Sequence, residues 1–358
     1  MTDVAVVAFA QSVPVRADET HNEVEMLMPV VADAIERSGI GRKEIGFTVS
    51  GSCDYLAGAP FAFVAGLDAV GAWPPIRESH VEMDGAWALY EAWVRLQHGD
   101  VDSALVYAFG KSSLGPLPDV LGLQLDPYHV APLGIDAISV AALQARAWLD
   151  AGHDEAEMAA VAARARQAAR ANPCAQVSAR DGEDAQTLLD EPYLVTPLRR
   201  HDCPPISDGA AAVVLAAGDR AREVCERPAW ITGIDHRVEA HALGGRDLAM
   251  SVSTRLAGER AGVADAPIDV AELHAPFSHQ EPILCDALAL GDGVTVNPSG
   301  GALAANVVMA AGLVRIGEAA TRVSEGAAAR AVAHATSGPA LQQNLVCVLE
   351  ADGDAGTR

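Results

Sequence analysis

The chain has 358 residues, and 48 acidic against 25 basic side chains give it a formal net charge of −23. Half of its residues are apolar and only 4% are aromatic. Nucleic acids and anionic membrane surfaces repel such a polyanion, so we expect neither as the main partner. Because no run of about 18 strongly apolar residues occurs and no basic signal-peptide start is seen, we expect a cytoplasmic protein.

The cysteines are scattered, without a CxxC pair or a short Cys/His spacing. They are Cys53, Cys174, Cys203, Cys225, Cys285 and Cys347. This spacing predicts neither a zinc site nor a disulfide framework. We therefore expect reduced thiols, several of them buried, and no metal or resident cofactor.

Short apolar runs alternate with helix-like stretches along most of the chain. The predicted strands fall into two series, at 4–10, 47–52, 79–83, 103–110 and 210–217, and then at 229–236, 270–274, 294–297, 329–336 and 345–350. Runs without polar alternation are typical of strands that helices cover on both faces. The predicted class is therefore layered α/β.

Each series contains one helix without a polar face, which predicts a helix buried between two sheets. The first starts at Asp84-Gly85 and the second at Ala302. Two such units back to back predict a five-layer αβαβα fold, the alternative being an ordinary open doubly wound sheet. We expect an N-terminal half at 1–220, with an insertion at about 112–202 covering a cleft, and a C-terminal half at 221–358.

The strand-to-helix junctions are the candidate sites, because free N–H groups at a helix start favour anions. At the second junction, Ser299, Gly300 and Gly301 either admit a ligand or only make the turn. At the first junction, Asp84 is either a general base or a helix cap. His274, at a strand end, either donates to an oxyanion or is hydrogen-bonded structure.

Four segments, taken together and in this order, resemble the thiolase superfamily, especially its sterol-carrier-type members and the actinobacterial lipid-transfer-protein branch. The segments are NPCAQ at 172–176, PPISDGAAAVVL at 204–215, ELHAPF at 272–277 and NPSGG at 297–301. The resemblance implies a duplicated five-layer fold, a dimer, and a loop domain above an acyl-CoA site.

The catalytic positions of that family differ in this chain. Gly85 corresponds to the nucleophilic cysteine of thiolases, Asn306 falls near their second-helix histidine, and Ser337-Gly338 falls where the second cysteine would be. His274 matches the histidine of the sterol-carrier-type motif. Because loss of a covalent nucleophile costs orders of magnitude in rate, we do not expect ordinary thiolysis.

The resemblance instead implies an acyl-CoA carbon–carbon lyase that performs retro-aldol cleavage of a 3-hydroxyacyl-CoA in steroid or lipid side-chain degradation. Coenzyme A would enter only as part of the substrate. His274 and Asn306 would hold the thioester oxygen, Asp84 or Tyr55 would be the base, and Gly338 would join the junction residues in binding the ligand. Arg199, Arg200 and Lys111 are candidates for its phosphates.

Two alternatives stay open. One is a non-catalytic thiolase-like subunit of a heteromeric complex, and the other is a divergent acyltransferase with Cys53 as nucleophile. The resemblance implies a homodimer or a heterodimer with a thiolase-like paralogue. It also suggests a small zinc-ribbon/OB-fold partner, as in steroid side-chain aldolases.

Overall fold

The computed structural model describes residues 2–351. Its strands are β1 (Val4–Gln11), β2 (Phe47–Gly51), β3 (Glu78–Val81), β4 (Ser103–Lys111), β5 (Tyr193–Val195), β6 (Leu198–Arg199), β7 (Asp208–Ala217), β8 (Ala229–Val238), β9 (Val270–Leu273), β10 (Thr295–Val296), β11 (Arg330–Ser337) and β12 (Gln343–Glu350). Its α-helices are α1 (Glu23–Ser38), α2 (Asp54–Ala57), α3 (Phe63–Val70), α4 (Gly85–Gln97), α5 (Leu117–Gly122), α6 (Ala137–Asp150), α7 (Glu155–Ala169), α8 (Ala185–Leu189), α9 (Gly218–Val224), α10 (Val252–Ala261), α11 (Gln280–Ala287), α12 (Gly301–Ala304) and α13 (Ala311–Ser324). Among these helices, none combines the length and apolarity that a membrane crossing requires.

Ten strands form one mixed sheet in the order β10-β9-β11-β12-β8-β1-β7-β4-β2-β3. The strands of the first half run from β3 to β1, and those of the second half run from β8 to β10. The halves are joined where β1 pairs with β8, through Ala5 opposite Trp230 and Val6 opposite Ala229. All ten predicted strands are confirmed, although β10 is reduced to Thr295–Val296.

Three hydrophobic cores define the layers. The central core places α4 and α13 between the strands of the two halves, with Leu89 and Leu313 fully buried. A second core packs α1 on the other face of β1, β4 and β7, and a third packs α10 and α11 against β9 and β12. The order is thus helix, sheet, helix, sheet, helix, and the predicted five-layer fold is confirmed.

The second inner helix does not begin where the sequence predicted. Residues from Ala302 onward form only the short α12, the chain is irregular at 305–310, and the inner helix α13 begins at Ala311. Met309 lies in this irregular segment with a φ of 78°, which is incompatible with a helix. The sequence did not predict this interruption, because residues 305–310 are as apolar as a buried helix. They pack against the core as a loop, with Val307 and Ala310 buried.

The insertion between β4 and β7 carries α5 to α8 and the two-stranded sheet of β5 and β6. Helices α5 and α6 lie over the ends of the inner helices and enclose the cavity described below. The proposed division of the chain into halves at residue 220 remains a prediction.

Candidate active site

A cavity of about 280 Å³ lies between the insertion and the inner helices. Its walls are largely apolar, as is common for small-molecule sites. The polar or charged side chains of its lining are Asp84, Gln124, Arg200, His274, Gln280, Asn306, Thr336 and Ser337. Since Asp84, His274 and Asn306 come from distant segments, the fold brings three of the predicted site residues to one cavity.

Asp84 is the N-cap of α4, and its carboxylate is buried. Its Oδ1 accepts hydrogen bonds from the backbone N–H groups of Ala86 (2.8 Å) and Leu313 (3.1 Å), and its Oδ2 accepts one from Gly312 (3.0 Å). Because Gly312 and Leu313 belong to the first turn of α13, a single carboxylate caps both inner helices. The capping role, one of the two that the sequence analysis left open, is therefore part of the structure.

Burial raises the pKa of Asp84 to about 6, against the three N–H bonds and the charge of Arg315, which act to lower it. A carboxylate has about four acceptor positions, and three are filled by backbone N–H groups. One position on Oδ2 therefore remains for a ligand. A pKa near 6 suits a general base at neutral pH, so capping does not exclude proton transfer.

The residue that faces the cavity at the start of α4 is Asp84, whereas the resemblance placed the lost nucleophile at Gly85. Gly85 turns inward, and a Cβ added to it would lie 2.7 Å from Cβ of Ala108. Only glycine fits there, because strand β4 runs directly against the helix start.

His274 and Asn306 form a hydrogen-bonded pair in the cavity wall. The Nδ1 atom of His274 accepts from the backbone N–H of Thr336 (3.4 Å), so its ring proton lies on Nε2 and is donated to Oδ1 of Asn306 (3.1 Å). Burial lowers the pKa of His274 to about 4, with the charge of Arg315 acting in the same direction. The imidazole is therefore neutral near pH 7.

This arrangement makes Asn306 the hydrogen-bond donor of the pair toward a ligand. Its backbone N–H is held by the hydroxyl of Ser207 (3.1 Å), and its Nδ2 makes no hydrogen bond to any residue in the described part of the chain. Both ring nitrogens of His274 are occupied by the protein. His274 thus orients the amide of Asn306, and the amide is free to donate into the cavity.

The cavity wall also contains backbone in the left-handed region. Met309, Ala340 and Leu341 have φ values of 78°, 52° and 58°, and all three line the cavity together with Gly338, whose φ is 74°. Left-handed backbone is costly for residues other than glycine, and such strain clusters at functional sites.

The junction residues Ser299, Gly300 and Gly301 lie outside the lining of this cavity. The carboxylate of Glu272 accepts both the N–H (3.0 Å) and the hydroxyl (2.7 Å) of Ser299, and Glu272 is also ion-paired with buried Arg315 (2.7 Å). The two glycines make a tight turn against α7, with φ values of 92° and 61°. Of the four residues predicted to bind the ligand, only Gly338 lines the cavity, and a ligand role for the other three remains a prediction.

Tyr55 and Cys53 also lie outside the cavity lining. The Tyr55 hydroxyl contacts Nε2 of Gln124, which does line it, so Tyr55 is one residue removed from a ligand there. Burial raises the pKa of the Cys53 thiol to about 11. A protonated thiol away from the cavity is a poor nucleophile, which disfavours the acyltransferase alternative.

Cys203 is a thiol that does line the cavity, and no sequence motif marks it. Burial raises the pKa of this thiol to about 12, and Sγ lies 3.6 Å from the carbonyl oxygen of Arg199, to which it donates. Burial outweighs the charge of Arg200, which acts to lower this pKa, so the thiol stays protonated at neutral pH. Gln124 and Gln280 were likewise missed, because isolated glutamines carry no motif.

Of the three predicted phosphate-binding cations, Arg200 is exposed at the cavity and forms no ion pair with any described residue. Arg199 is buried and paired with Glu155, and the Nζ of Lys111 donates to the carbonyl oxygen of His21. Arg200 is therefore the cation best placed for an anionic ligand.

The five layers, the two inner helices that begin at one cavity and the inserted helices above it define a thiolase-like fold. No protein-family profile matches the chain. The structure is similar to the solved "Ltp2-ChsH2(DUF35) aldolase", with a TM-score of 0.81, 18% identity and 98% of each chain covered. This likeness establishes the fold.

Two curated acetyl-CoA acetyltransferases are similar in sequence. The enzyme of Methanothermobacter thermautotrophicus is 28% identical over 255 residues, which cover 63% of this chain and 66% of the enzyme. That of Methanocaldococcus jannaschii is 28% identical over 160 residues, covering 37% and 41%. The chain thus spans less than two thirds of the length of either relative. The predicted resemblance to the thiolase superfamily is thus confirmed in the fold and in a partial sequence similarity.

Proposed function

We propose that this protein is a carbon–carbon lyase that cleaves a 3-hydroxyacyl-CoA by a retro-aldol reaction. The observation that carries the proposal is that Asp84 and Asn306 line one cavity. Asp84 lies at the start of the inner helix α4, and the amide nitrogen of Asn306 is free to donate. In this proposal Asp84 is the base and Asn306 the oxyanion donor, and no cysteine stands at the helix start.

The reaction needs no covalent intermediate and no co-reactant. Asp84 removes the proton of the 3-hydroxyl group, the bond between C2 and C3 breaks, and its electron pair moves onto C2 and the thioester oxygen. C3 leaves as a ketone or aldehyde. The resulting enolate takes the proton back at C2, which yields a shortened acyl-CoA.

Asn306 supports this chemistry because its Nδ2 can donate to the thioester oxygen as negative charge develops there. His274 acts as a positioning residue, since its Nε2–H holds the amide oxygen and so aims the amide nitrogen. A preorganised donor of this kind is worth about 10²–10³ in rate. The apolar lining favours an aliphatic or alicyclic acyl group over a polar one.

The curated relatives are acetyltransferases, and the solved structure of similar fold is an aldolase in complex with a second protein. The aldolase reaction agrees better with the cavity, because acyl transfer in the thiolase manner requires the absent cysteine. We also propose a heteromer with a small partner of the kind named in that complex, in addition to a homodimer.

The test is an incubation of the purified protein, alone and with proteins encoded beside it, with a set of 3-hydroxyacyl-CoA thioesters. Release of acetyl-CoA or propionyl-CoA together with the ketone or aldehyde is expected, and chromatography with mass spectrometry detects both. Failure of every substrate with every pairing would contradict the proposal.

A second candidate, a non-catalytic subunit, is supported by the three N–H bonds that occupy Asp84. The variant Asn306→Ala separates the two, because Asn306 caps no helix. Loss of turnover with unchanged assembly would exclude the non-catalytic subunit, whereas unchanged turnover of the complex would exclude the lyase.

A further inference from the structure

A groove of about 680 Å³ lies at the amino ends of the parallel strands β2, β3 and β4. It shares no lining residue with the cavity described above. Asp84, which lines that cavity, follows the carboxyl end of β3, whereas the groove lies at the amino end of the same strand. Its size is within the range of small-molecule sites. The groove is therefore a separate place at which a ligand can bind.

Three cations line this groove, namely Arg42, Lys43 and Arg77. None of their side chains forms an ion pair with a residue of the described chain. In a protein with a net charge of −23, acidic partners are abundant. Other arginines of this chain also lack an ion pair, but these three cations lie together at one groove, where their charges can act on a single anion.

The acidic residues of the groove do not cancel this charge. Glu44 is paired with Arg220 (2.9 Å), which is also paired with Glu223 (3.4 Å), and Asp100 is paired with Arg95 (2.5 Å); both arginines lie outside the lining. Asp102 is the remaining carboxylate. Three cations thus face one carboxylate without a basic partner, and the groove carries a local positive charge.

An aromatic face completes the groove. Trp73 is 86% exposed, although a tryptophan side chain is usually covered. Beside it, the guanidinium of Arg42 occupies the space that a side chain at Gly71 would fill. The groove therefore combines cations that suit phosphate oxygens with an indole that suits a flat ring.

We propose that this groove binds a nucleoside di- or triphosphate, with Arg42, Lys43 and Arg77 on the phosphates and the base stacked on Trp73. Base–aromatic stacking and charge-assisted contacts each supply part of the affinity. The inference does not depend on the lyase activity, since the two sites share no residue.

The experiment titrates the full chain with ADP and follows tryptophan emission and heat of binding. Saturable binding is expected, and its fluorescence signal should disappear in Trp73→Phe. Adenosine alone and inorganic pyrophosphate alone should each bind at least tenfold more weakly than ADP. Binding should weaken as salt is raised from 50 to 500 mM, because the phosphate contacts are exposed.

The triple variant R42A/K43A/R77A should bind ADP about 30-fold more weakly, at roughly threefold for each exposed charge removed. The matched control is R146A/R180A/R260A, which removes three exposed arginines that form no ion pair with described residues elsewhere on the surface. The control changes the net charge equally and should bind ADP within twofold of the native chain.

Any of the following results would overturn the proposal. The first is no saturable ADP binding up to millimolar concentration. The second is equal affinity of the two triple variants, or binding that only Arg200→Ala removes, which would assign ADP to the main cavity. The third is a Trp73 emission that shifts with protein concentration and not with ligand, because another copy of the chain would then cover the groove.

Discussion

Asp84 shows how one side chain joins structure and chemistry. Its carboxylate accepts N–H groups from the first turns of α4 and α13, and these helices come from different halves of the chain. The remaining acceptor position and a pKa of about 6 fit a base in the cavity. His274 and Asn306 have different roles. Both ring nitrogens of His274 are hydrogen-bonded to the protein, whereas Nδ2 of Asn306 has no partner in the described part of the chain.

Removing the carboxylate should lower both stability and rate. Asp84→Ala leaves three buried N–H groups without an acceptor, which costs about 2–4 kcal/mol of unfolding free energy. The measurement is urea unfolding at pH 7. Asp154→Ala, at the exposed N-cap of α7, is the control and should cost about 1 kcal/mol. Equal costs for the two variants would show that Asp84 caps only one helix.

The lyase rate should depend on the ionisation of Asp84. We expect kcat/KM to rise with pH up to about 6 and to level off above it, because only the carboxylate accepts the hydroxyl proton. Asp84→Asn should lose at least about 10² in rate and should lack this ascending limb. An ascending limb that persists in the variant would assign the base to another residue.

Asn306→Ala should reduce kcat by about 10²–10³, because it removes one donor to the developing oxyanion. It should also lower the free energy of unfolding by about 1–3 kcal/mol, because the buried Nε2–H of His274 loses its acceptor. His274→Ala should reduce kcat less, since the amide stays in place and only its orientation is lost. Steady-state kinetics with one cleavable thioester measures both. A larger effect of His274→Ala than of Asn306→Ala would mean that the imidazole itself touches the substrate.

At the scale of elements, the two inner helices approach each other so closely that small residues are required between them. A Cβ added to Gly312 would lie 2.5 Å from Cβ of Ala335 and 2.5 Å from Oδ1 of Asp84. The start of α13 is therefore set by what fits beside α4 and β11. The irregular segment 305–310 before it is what turns Asn306 and Met309 into the cavity wall.

Gly312→Ala should destabilise the chain by about 2 kcal/mol or more, because the added methyl group meets backbone-anchored atoms that cannot retreat. Gly293→Ala is the matched control, as no heavy atom lies within 4 Å of its added Cβ. It should change stability by less than about 0.5 kcal/mol. Thermal and urea unfolding of both variants test the close approach of the inner helices.

At the scale of the whole molecule, folding buries histidines in their neutral form. His279 is fully buried, its Nε2 donates to Oε1 of Gln144 (3.2 Å), and its Nδ1 has no partner among the described residues. Burial lowers the pKa of His279 to about 3. Below about pH 6.5 this histidine is protonated in the unfolded chain but stays neutral in the folded chain. The free energy of unfolding therefore falls as the pH decreases from about 6.5 towards 3.

The variant His279→Gln should lose less stability on acidification than the native chain. A group with its pKa lowered from 6.5 to about 3 contributes about 3 kcal/mol of pH-dependent stability between pH 6.5 and pH 4. The measurement is urea unfolding at pH 7 and pH 4.5 for both chains. Parallel pH curves would show that this histidine is already protonated in the fold.

The sequence by itself determined the elements and their layering. The apolar strands depend on neighbours within a few residues, so local patterns were sufficient to predict them. The N-cap at Asp84 and the turn at Gly300 are local as well, and the sequence analysis named each as one of two alternatives. The motif at 272–277 also located His274, because a strand end and its following loop are local features.

Only the tertiary structure decided which of these residues share a site. It brought Asp84, His274 and Asn306 to one cavity, left Tyr55 behind Gln124, and placed Ser299 with Glu272 and Arg315 instead. It also moved the start of the second inner helix from Ala302, as predicted, to Ala311. The helix is interrupted before that point because Met309 takes a left-handed backbone conformation that no local pattern encodes. The reason is physical: hydrogen bonds between distant segments form only after the two halves pack, and packing depends on the volumes of all the side chains at the interface.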